Sequence, residues 1–321
     1  GLANVRPFFI FVTDMKSLSE VQPSVLKNLD LLAKQVVEGF ITGLHKSPFH
    51  GFSVEFSEHK LYNKGESTRH IDWKLYAKTE KLYTKKYEEE TNLRCHIIID
   101  NSASMHYPIA KNQHLDNLNK VGFSAVAAAS LMEMLKRQRD AVGLSIYSDS
   151  YEYYAPEKAS DRHRKMLLHQ LELLLVASSK ASTDTCKYLH EIAKKIHRRS
   201  LIFIFTDMFQ TTKDNEALFE ALRHLKYNKH EVVLFHTYDE ETEFNFNFDI
   251  SPKKFVDVET SEEINVYAEN IQDSYKELVR KYFKDLKNKC LQYKIDYVPV
   301  DIHKGYHEVL TAYLISRKIN K

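Results

Sequence analysis

The amino-acid sequence predicts an α/β fold: a Rossmann-like, doubly wound and mostly parallel sheet, with an N-terminal helix and β-hairpin module. Two observations predict it. After Ile99, short apolar runs alternate with amphipathic helical patterns, which is typical of a parallel sheet covered by helices. Before that point, residues 52–90 mix short alternating segments with charged residues, as hairpin strands do. We therefore place the N-terminal module at residues 1–93 and the main α/β domain at residues 94–321.

The N-terminal module is predicted to begin with one helix and to continue with strands. In residues 24–40 apolar side chains recur at helical spacing, and Gly43, Pro48 and Gly51 then break the pattern. In residues 81–88 aromatic or aliphatic side chains occupy alternate positions, which predicts a strand. The sequence has only 8 glycines and 7 prolines, so no low-complexity linker is expected.

Each predicted strand of the main domain is a short apolar run between two helical patterns. The predicted strands are residues 95–99, 141–147, 201–205, 232–235 and 295–299. The predicted helices are residues 115–136, 162–176, 187–196, 215–225, 264–291 and 306–315. In a sheet of this kind, ligands bind at the carboxyl ends of the strands, where the strand order reverses.

Composition excludes several classes of function. The 46 basic and 44 acidic residues give a net charge of +2, which provides no global field for nucleic acid or an anionic membrane. The three cysteines, Cys95, Cys186 and Cys290, have no paired spacing, so neither a disulfide framework nor a zinc knuckle is indicated. The apolar run at residues 8–12 is too short to span a bilayer and lacks a signal-peptide pattern. We expect a cytoplasmic location, although a cytosolic domain of a longer membrane protein would look the same.

Oxygen-bearing side chains follow the first predicted strand of the main domain. Asp100, Ser102 and Ser104 come directly after the apolar run that ends at Ile99. Side chains two residues apart in an extended loop project the same way, so these three can converge. An all-oxygen site suits a hard cation such as Mg²⁺. The competing interpretation is that these residues only cap a turn or the following helix.

A second strand end and one loop point to the same edge of the sheet. The predicted strand at residues 201–205 runs directly into Thr206 and Asp207, so it too ends on a carboxylate. The polar loop at residues 178–185 precedes a helix and offers several hydroxyl groups. One of its threonines could complete the set of ligands.

The pattern Asp-x-Ser-x-Ser, then a loop threonine, then an Asp at a later strand end resembles the metal-ion-dependent adhesion site of von Willebrand factor A domains. This resemblance implies a von Willebrand A-like fold and a site for Mg²⁺ or Mn²⁺. Thr183 fits the loop position best because a helix follows it at the family's distance, and Thr185 is the alternative. The implied metal ligands are Asp100, Ser102, Ser104, Thr183 and Asp207.

The segment before this site resembles a narrower family, the domain-of-unknown-function family number fifty-eight. The resemblance lies in residues 43–47 (GLHKS), 51–56 (GFSVEF), 65–74 (GESTRHIDWK), 77–79 (AKT) and 88–90 (EEE), and it extends from about residue 27 to the final helix. Ser67 departs from the family pattern, which usually has two acidic residues at Glu66 and Ser67. The resemblance implies association with a MoxR-type AAA+ ATPase or its client protein.

The resemblance implies binding rather than catalysis. Neutral hydroxyl ligands leave a cation under-neutralised, so an acidic residue of a partner protein can complete its coordination. The alternative is a magnesium-dependent phosphatase or phosphotransferase with Asp100 as nucleophile. The segment resembles the Asp-x-Asp motif of such enzymes, whose second carboxylate provides acid/base catalysis. Here that second position is Ser102. We therefore expect a non-enzymatic interaction module.

Overall fold

The computed structural model describes twelve segments of the chain: residues 11–12, 28–46, 59–61, 73–85, 93–108, 118–148, 151–176, 185–208, 212–248, 253–256, 263–266 and 268–319. The chain divides into two compact units. One comprises Gly1–Glu38 and Leu93–Lys321, and the other is Gly39–Asn92. The domain boundary predicted at residue 93 stays a prediction.

The described segments contain eleven strands and eight α-helices, numbered in chain order. The strands are β1 (Phe11–Val12), β2 (His59–Leu61), β3 (Tyr83–Lys85), β4 (Arg94–Asp100), β5 (Ala141–Tyr147), β6 (Tyr151–Lys158), β7 (Leu201–Thr206), β8 (Glu231–Tyr238), β9 (Lys253–Val256), β10 (Glu263–Val266) and β11 (Asp296–Asp301). The helices are α1 (Leu29–Lys46), α2 (Trp73–Thr79), α3 (Lys120–Arg137), α4 (Asp161–Val176), α5 (Thr185–Lys195), α6 (Thr212–Tyr227), α7 (Ala268–Gln292) and α8 (His307–Ile319). No helix within the described segments is long and apolar enough to cross a membrane.

A six-stranded sheet with the order β11-β8-β7-β4-β5-β6 forms the centre of the larger unit. All neighbours pair in parallel except β5 and β6, which pair antiparallel. The prediction of a doubly wound, mostly parallel sheet is therefore confirmed. Strand β6 was not predicted. It lies at the sheet edge, where Pro156 is tolerated because an edge strand can leave backbone groups without ladder partners.

Helices cover both faces of this sheet, which explains why its central strands are continuous apolar runs. Ile202 and Ile204 of β7 pack in a core with residues of α5, α6 and α7. Phe203, between them in sequence, contacts Tyr313 of α8, with ring centroids 6.3 Å apart. Because side chains alternate along a strand, these contacts place α8 on the face opposite α5, α6 and α7.

Helix α3 is the most deeply buried helix and directly follows the candidate site. Every residue from Lys120 to Leu135 is buried. Small residues dominate its middle, and the hydroxyl groups of Ser124 and Ser130 donate to carbonyl groups four residues back, at 2.7 and 2.8 Å. A helix that is buried all round in this way is held in place by its neighbours, so its first turn is a fixed position at the edge of the sheet.

Two smaller sheets within the described segments are separate from the central sheet. Strands β2 and β3 form an antiparallel pair, which confirms the strand predicted within residues 81–88, and helix α2 lies between the two strands in the chain. Strands β1, β9 and β10 form a three-stranded antiparallel sheet. The predicted helix at residues 264–291 is wrong at its start, because residues 263–266 form β10 and the helix begins at Ala268. Cross-strand pairing with β9 overrides the local helical spacing there.

Candidate metal centre at the carboxyl edge of the sheet

Asp100 is the last residue of β4 and joins the ends of two neighbouring strands. Its Oδ1 accepts a hydrogen bond from the backbone N–H of Ser102 at 2.9 Å. Its Oδ2 accepts one from the hydroxyl of Thr206, the last residue of β7, at 2.8 Å. The side chain is only 3% exposed. Asp100 is thus a buried carboxyl group held between the turn that follows it and the adjacent strand.

Ser102 and Ser104 lie in a tight turn that follows β4. The backbone N–H of Met105 donates to the carbonyl of Ser102 at 3.1 Å, and a short 3-10 helix spans Ser104–His106. The two serine hydroxyl oxygens are 3.1 Å apart, and both residues are buried. The two hydroxyl groups therefore converge as expected, but a tight turn brings them together rather than an extended loop.

Asp207 directly follows β7 and is also buried. Thr206, the residue before it, fixes the backbone at this point, because its hydroxyl oxygen accepts the N–H of Met208 at 3.1 Å while its hydrogen is donated to Asp100. The Oδ2 atom of Asp207 accepts a hydrogen bond from the ammonium group of Lys120 at 2.9 Å. The structure therefore brings four of the predicted residues to one edge of the sheet: Asp100, Ser102, Ser104 and Asp207.

Lys120 is a residue of this centre that the sequence did not predict. It is the first residue of α3, whose N-cap Asn119 accepts the N–H of Gly122 at 2.7 Å. The Lys120 side chain is fully buried, and its ammonium group contacts Glu243 Oε1 at 2.5 Å as well as Asp207. A positive charge in the first turn of a helix opposes the helix dipole. That unfavourable position was the available signal that nearby carboxylates hold this lysine.

Glu243 was also not predicted, and it connects the centre to a neighbouring segment. It lies in a single π-helical turn, Glu240–Phe244, that follows β8. Its Oε2 accepts the backbone N–H of Asp239 at 2.8 Å, and its backbone carbonyl accepts the hydroxyl of Tyr275 in α7 at 2.9 Å. Both carboxylate oxygens of Glu243 are therefore engaged, one by the backbone and one by Lys120.

The pKa values in this cluster are shifted by burial and by the excess of carboxyl groups over ammonium groups. Burial raises the pKa of Asp100 to about 7, and the negative charge of Asp207 adds to the rise. Burial also raises the pKa of Glu243 to about 7, with Lys120 opposing the rise. Burial alone would lower the pKa of Lys120, but Asp207 and Glu243 outweigh it and raise that pKa. Lys120 is thus a charged ammonium group that two carboxyl groups, those of Asp207 and Glu243, share.

Asn101 and His106 hold the outer side of the serine turn. The Asn101 amide donates to both carboxylate oxygens of Glu152 in β6, at 3.1 and 2.9 Å. Its Oδ1 lies 2.9 Å from Nε2 of His106. Burial lowers the pKa of His106 to about 4, so its ring is neutral and can donate this hydrogen bond from Nε2. These contacts hold the two ends of the turn that carries Ser102 and Ser104.

The third loop of the predicted site is not described. Thr183 lies outside the described residues, and Thr185 is the first residue of α5, with a side chain that is likewise not described. Within the described segments, no group of three or more His, Cys, Asp or Glu residues is arranged to hold a metal. The candidate set contributes two carboxylates and two hydroxyl groups, so it is not a cluster of that kind.

Two further strands of the sheet end at buried aspartates, but backbone N–H groups occupy one carboxylate oxygen of each and a side chain contacts the other. Asp239 follows β8, and its Oδ1 accepts the N–H groups of Glu241 and Thr242 at 2.9 and 3.1 Å. Asp301 ends β11, and its Oδ1 accepts the N–H of His303 at 3.2 Å. These two aspartates cap local turns, whereas Asp100 and Asp207 lie beside the serine hydroxyl groups.

A serine, a histidine and a carboxylate line up elsewhere in the sheet. Nε2 of His96 is 2.7 Å from the Ser145 hydroxyl, and Nδ1 is 2.6 Å from Glu157 Oε1. The order resembles that of a hydrolase triad. However, Ser145 and His96 are fully buried between strands β4, β5 and β6, so a substrate has no approach through the described part of the chain. This network joins three strands of the sheet.

Comparison with known proteins gives the family. Residues 58–285 match the family described as "Protein of unknown function DUF58". Uncharacterized proteins of Mycobacterium bovis and Mycobacterium tuberculosis are 22% identical over 184 residues, which is 57% of this chain and 56% of theirs. The match therefore covers only about half the length of these curated relatives.

Two solved structures are similar at low sequence identity. The conserved hypothetical protein BatB from Bacteroides thetaiotaomicron is 14% identical with a TM-score of 0.43, covering 71% of this chain and 100% of BatB. The PilB minor pilin from Streptococcus sanguinis is 13% identical with a TM-score of 0.38, covering 74% of this chain and 64% of PilB.

The family predicted from residues 43–90 is confirmed by the match to residues 58–285. Because that match extends over well more than half of the sequence, the chain belongs to the DUF58 family.

Proposed function

We propose that this chain is a protein-interaction module that binds Mg²⁺ or Mn²⁺ and, through the ion, an acidic residue of a partner protein. One observation carries the proposal. The hydroxyl oxygens of Ser102 and Ser104 lie 3.1 Å apart, next to the buried carboxyl groups at the ends of β4 and β7. Neighbouring ligands of an octahedral Mg²⁺ are about 3 Å apart, so this spacing suits two ligands of one ion.

The charge of the cluster also favours a cation. The cluster contains three acidic groups, Asp100, Asp207 and Glu243, and the ammonium group of Lys120 pairs with the last two of them. Negative charge that is buried without a counter-charge is costly, and the raised pKa of Asp100 is one expression of that cost. A bound cation would offset it.

Four described residues would hold the ion: Asp100, Ser102, Ser104 and Asp207. The third-loop threonine, Thr183 or Thr185, would complete the set that the sequence resemblance implies. The ion would supply an open coordination position that a carboxylate of the partner fills. Because two of the ligands are neutral hydroxyl groups, they compete less with that carboxylate for the charge of the ion than two further carboxylates would.

The surroundings of Asp100 favour binding over catalysis by this residue. Both of its carboxylate oxygens accept hydrogen bonds, one from the backbone of Ser102 and one from the hydroxyl of Thr206. Hydrogen bonds to both oxygens weaken a carboxylate as a nucleophile. The position two residues later is Ser102, which has no carboxylate for proton transfer to a leaving group.

The partner we propose is a MoxR-type AAA+ ATPase or its client protein, and family resemblance alone supports this choice. Affinity capture from the native cell tests it, using wild-type protein and the Asp100→Asn variant, each with Mg²⁺ and with chelator. We expect an AAA+ ATPase to be recovered only with wild-type protein and Mg²⁺. Equal recovery in all four samples would contradict a metal-dependent interface.

Metal binding itself is tested by calorimetric titration of the purified protein with Mg²⁺ and Mn²⁺. We expect binding at one site, lost in the double variant Ser102→Ala with Ser104→Ala. Ser130→Ala is a matched control, because Ser130 is a buried serine of α3 whose hydroxyl donates only within its own helix, to Val126. Absence of binding to wild-type protein, or unchanged binding in the double variant, would refute the proposal.

A further inference from the structure

We propose that Lys120 is a built-in counter-ion of the metal centre. Without metal its ammonium group bridges Asp207 and Glu243, and when a divalent ion binds it leaves Asp207 and stays with Glu243 alone, so that Lys120 and Glu243 together set the metal affinity. This inference rests on the proposed function. It assigns roles to two residues that the predicted set of ligands does not contain.

The position of the ammonium group is the first argument. Nζ of Lys120 lies 2.9 Å from Oδ2 of Asp207 and 2.5 Å from Oε1 of Glu243. Asp207 follows β7, and Glu243 belongs to the turn after β8, the next strand of the sheet. Lys120 therefore bridges Asp207, a proposed metal ligand, and Glu243, which is not among the proposed ligands.

Competition for Asp207 is the second argument. An ammonium group bound to a carboxylate neutralises it and repels any second cation that approaches the same group. The repulsion is strong here because Lys120 is fully buried and Asp207 nearly so, which leaves little water to screen it. Binding of a dication at Asp207 therefore favours withdrawal of Lys120 from that residue.

The structure also provides a place for the withdrawn ammonium group. Glu243 already contacts Lys120, and its other carboxylate oxygen is fixed by the backbone N–H of Asp239 at 2.8 Å. The Tyr275 hydroxyl holds the Glu243 backbone at 2.9 Å. Because this carboxylate is held in place independently of Asp207, Lys120 can remain paired after it leaves Asp207. A lysine without a second partner would instead be left as an uncompensated buried charge.

Two single substitutions are expected to change metal affinity in opposite directions. Lys120→Met removes the competing charge with little change in side-chain length, and we expect affinity for Mn²⁺ to rise about tenfold. Glu243→Gln removes the second partner, so Lys120 is retained by Asp207 and affinity falls about tenfold. Lys120→Arg keeps the positive charge and is expected not to raise the affinity.

The double variant separates movement of Lys120 from simple through-space electrostatics. If Glu243 acts by receiving Lys120, then Glu243→Gln lowers affinity much less in the Lys120→Met background, by about twofold or under. If Glu243 acts only as a distant negative charge, the two substitutions are additive and the reduction is the same in both backgrounds.

The experiment is calorimetric titration of wild-type, Lys120→Met, Lys120→Arg, Glu243→Gln and double-variant proteins with Mn²⁺, with melting curves to verify folding. Opposite shifts together with non-additivity support the inference. Wild-type binding with additive or unchanged affinities would overturn the role of Lys120 and leave the proposed function intact. Absence of binding in every protein would refute the proposed function and this inference with it. If Lys120→Met does not fold, a Glu243→Gln affinity equal to that of wild type would overturn the inference.

Discussion

Gly143 of β5 lies directly against the imidazole ring of His96 on the neighbouring strand β4. A Cβ atom at Gly143 would be 2.6 Å from Nδ1 of His96 and 2.8 Å from the backbone carbonyl oxygen of Ala155 in β6. The His96 ring is held by Glu157 and Ser145 on its two nitrogen atoms. The buried network across the three strands thus requires a residue without a side chain at position 143.

We predict that Gly143→Ala destabilises the protein by about 1–3 kcal/mol, because neither a fixed ring nor a strand backbone can move away freely. Urea denaturation of wild-type and variant proteins measures the change. Gly39→Ala is the matched control: it lies in helix α1, and a Cβ there meets no atom within 4 Å. In a helix interior that substitution should be neutral or should stabilise by about 0.5–1 kcal/mol. Equal effects of the two substitutions would contradict the steric argument.

Acid should destabilise the protein partly through His230. This residue is 2% exposed, and its Nδ1 accepts the backbone N–H of Ser200 at 3.2 Å, which requires a neutral ring. Burial lowers its pKa from 6.5 to about 4. Since the unfolded chain takes up the proton first, the stabilising contribution is complete above about pH 6.5 and is lost as the pH falls to about 4. The full loss is about 3 kcal/mol.

The variant His230→Asn tests this contribution, because Asn can still accept from Ser200 but does not titrate. We expect the difference in unfolding free energy between pH 7 and pH 4.5 to be smaller in the variant by about 2 kcal/mol. His169→Asn, at a largely exposed position of α4, serves as the control for the loss of a histidine. Parallel pH profiles for wild type and His230→Asn would show that His230 does not contribute.

The sequence predicts strands well where they are buried on both faces. The bounds of β5, residues 141–147, agree with the prediction, and β7 extends only one residue further than predicted. Such strands are continuous apolar runs because helices cover both sides of the sheet. Strand β6 is different, because its sequence YEYYAPEK contains charged residues and a proline and is not a continuous apolar run. Strand β10 was predicted as helix, since only its pairing with β9 makes it a strand.

In the candidate site too, the sequence predicts residues that are close together in the chain and misses contacts between distant residues. Asp100, Ser102 and Ser104 are adjacent in sequence, and the preceding apolar run places them at a strand end. The contacts of Lys120 with Asp207 and Glu243 span 87 and 123 residues, so no local pattern reveals them. The only local signal at Lys120 is a positive charge in the first turn of a helix, against the helix dipole.

If the proposed function is correct, divalent metal should stabilise the folded protein. A ligand that binds only the folded state adds about 2.7 kcal/mol at a hundredfold excess over its dissociation constant. We therefore expect Mg²⁺ or Mn²⁺ to raise the melting temperature of wild-type protein and chelator to reverse the rise. The increase should be absent in Ser102→Ala with Ser104→Ala and retained in Ser130→Ala. A melting temperature independent of metal would argue against a site of useful affinity.

In chelator, Lys120→Met should be strongly destabilising whatever its effect on metal affinity. The substitution leaves Asp207 and Glu243 without the ammonium group that both contact. Breaking a buried ion pair by removal of one partner costs about 3–5 kcal/mol, because the remaining charges stay buried and uncompensated. Divalent metal should recover part of this loss, since it would again place positive charge beside Asp207. Lys34→Met is the control, because the pair of Lys34 with Asp30 is partly exposed to solvent, spans one helical turn and should contribute little, and Asp30 keeps Arg164 as a partner. Equal stability of the Lys120→Met and wild-type proteins in urea denaturation with chelator would show that Asp207 and Glu243 do not depend on Lys120.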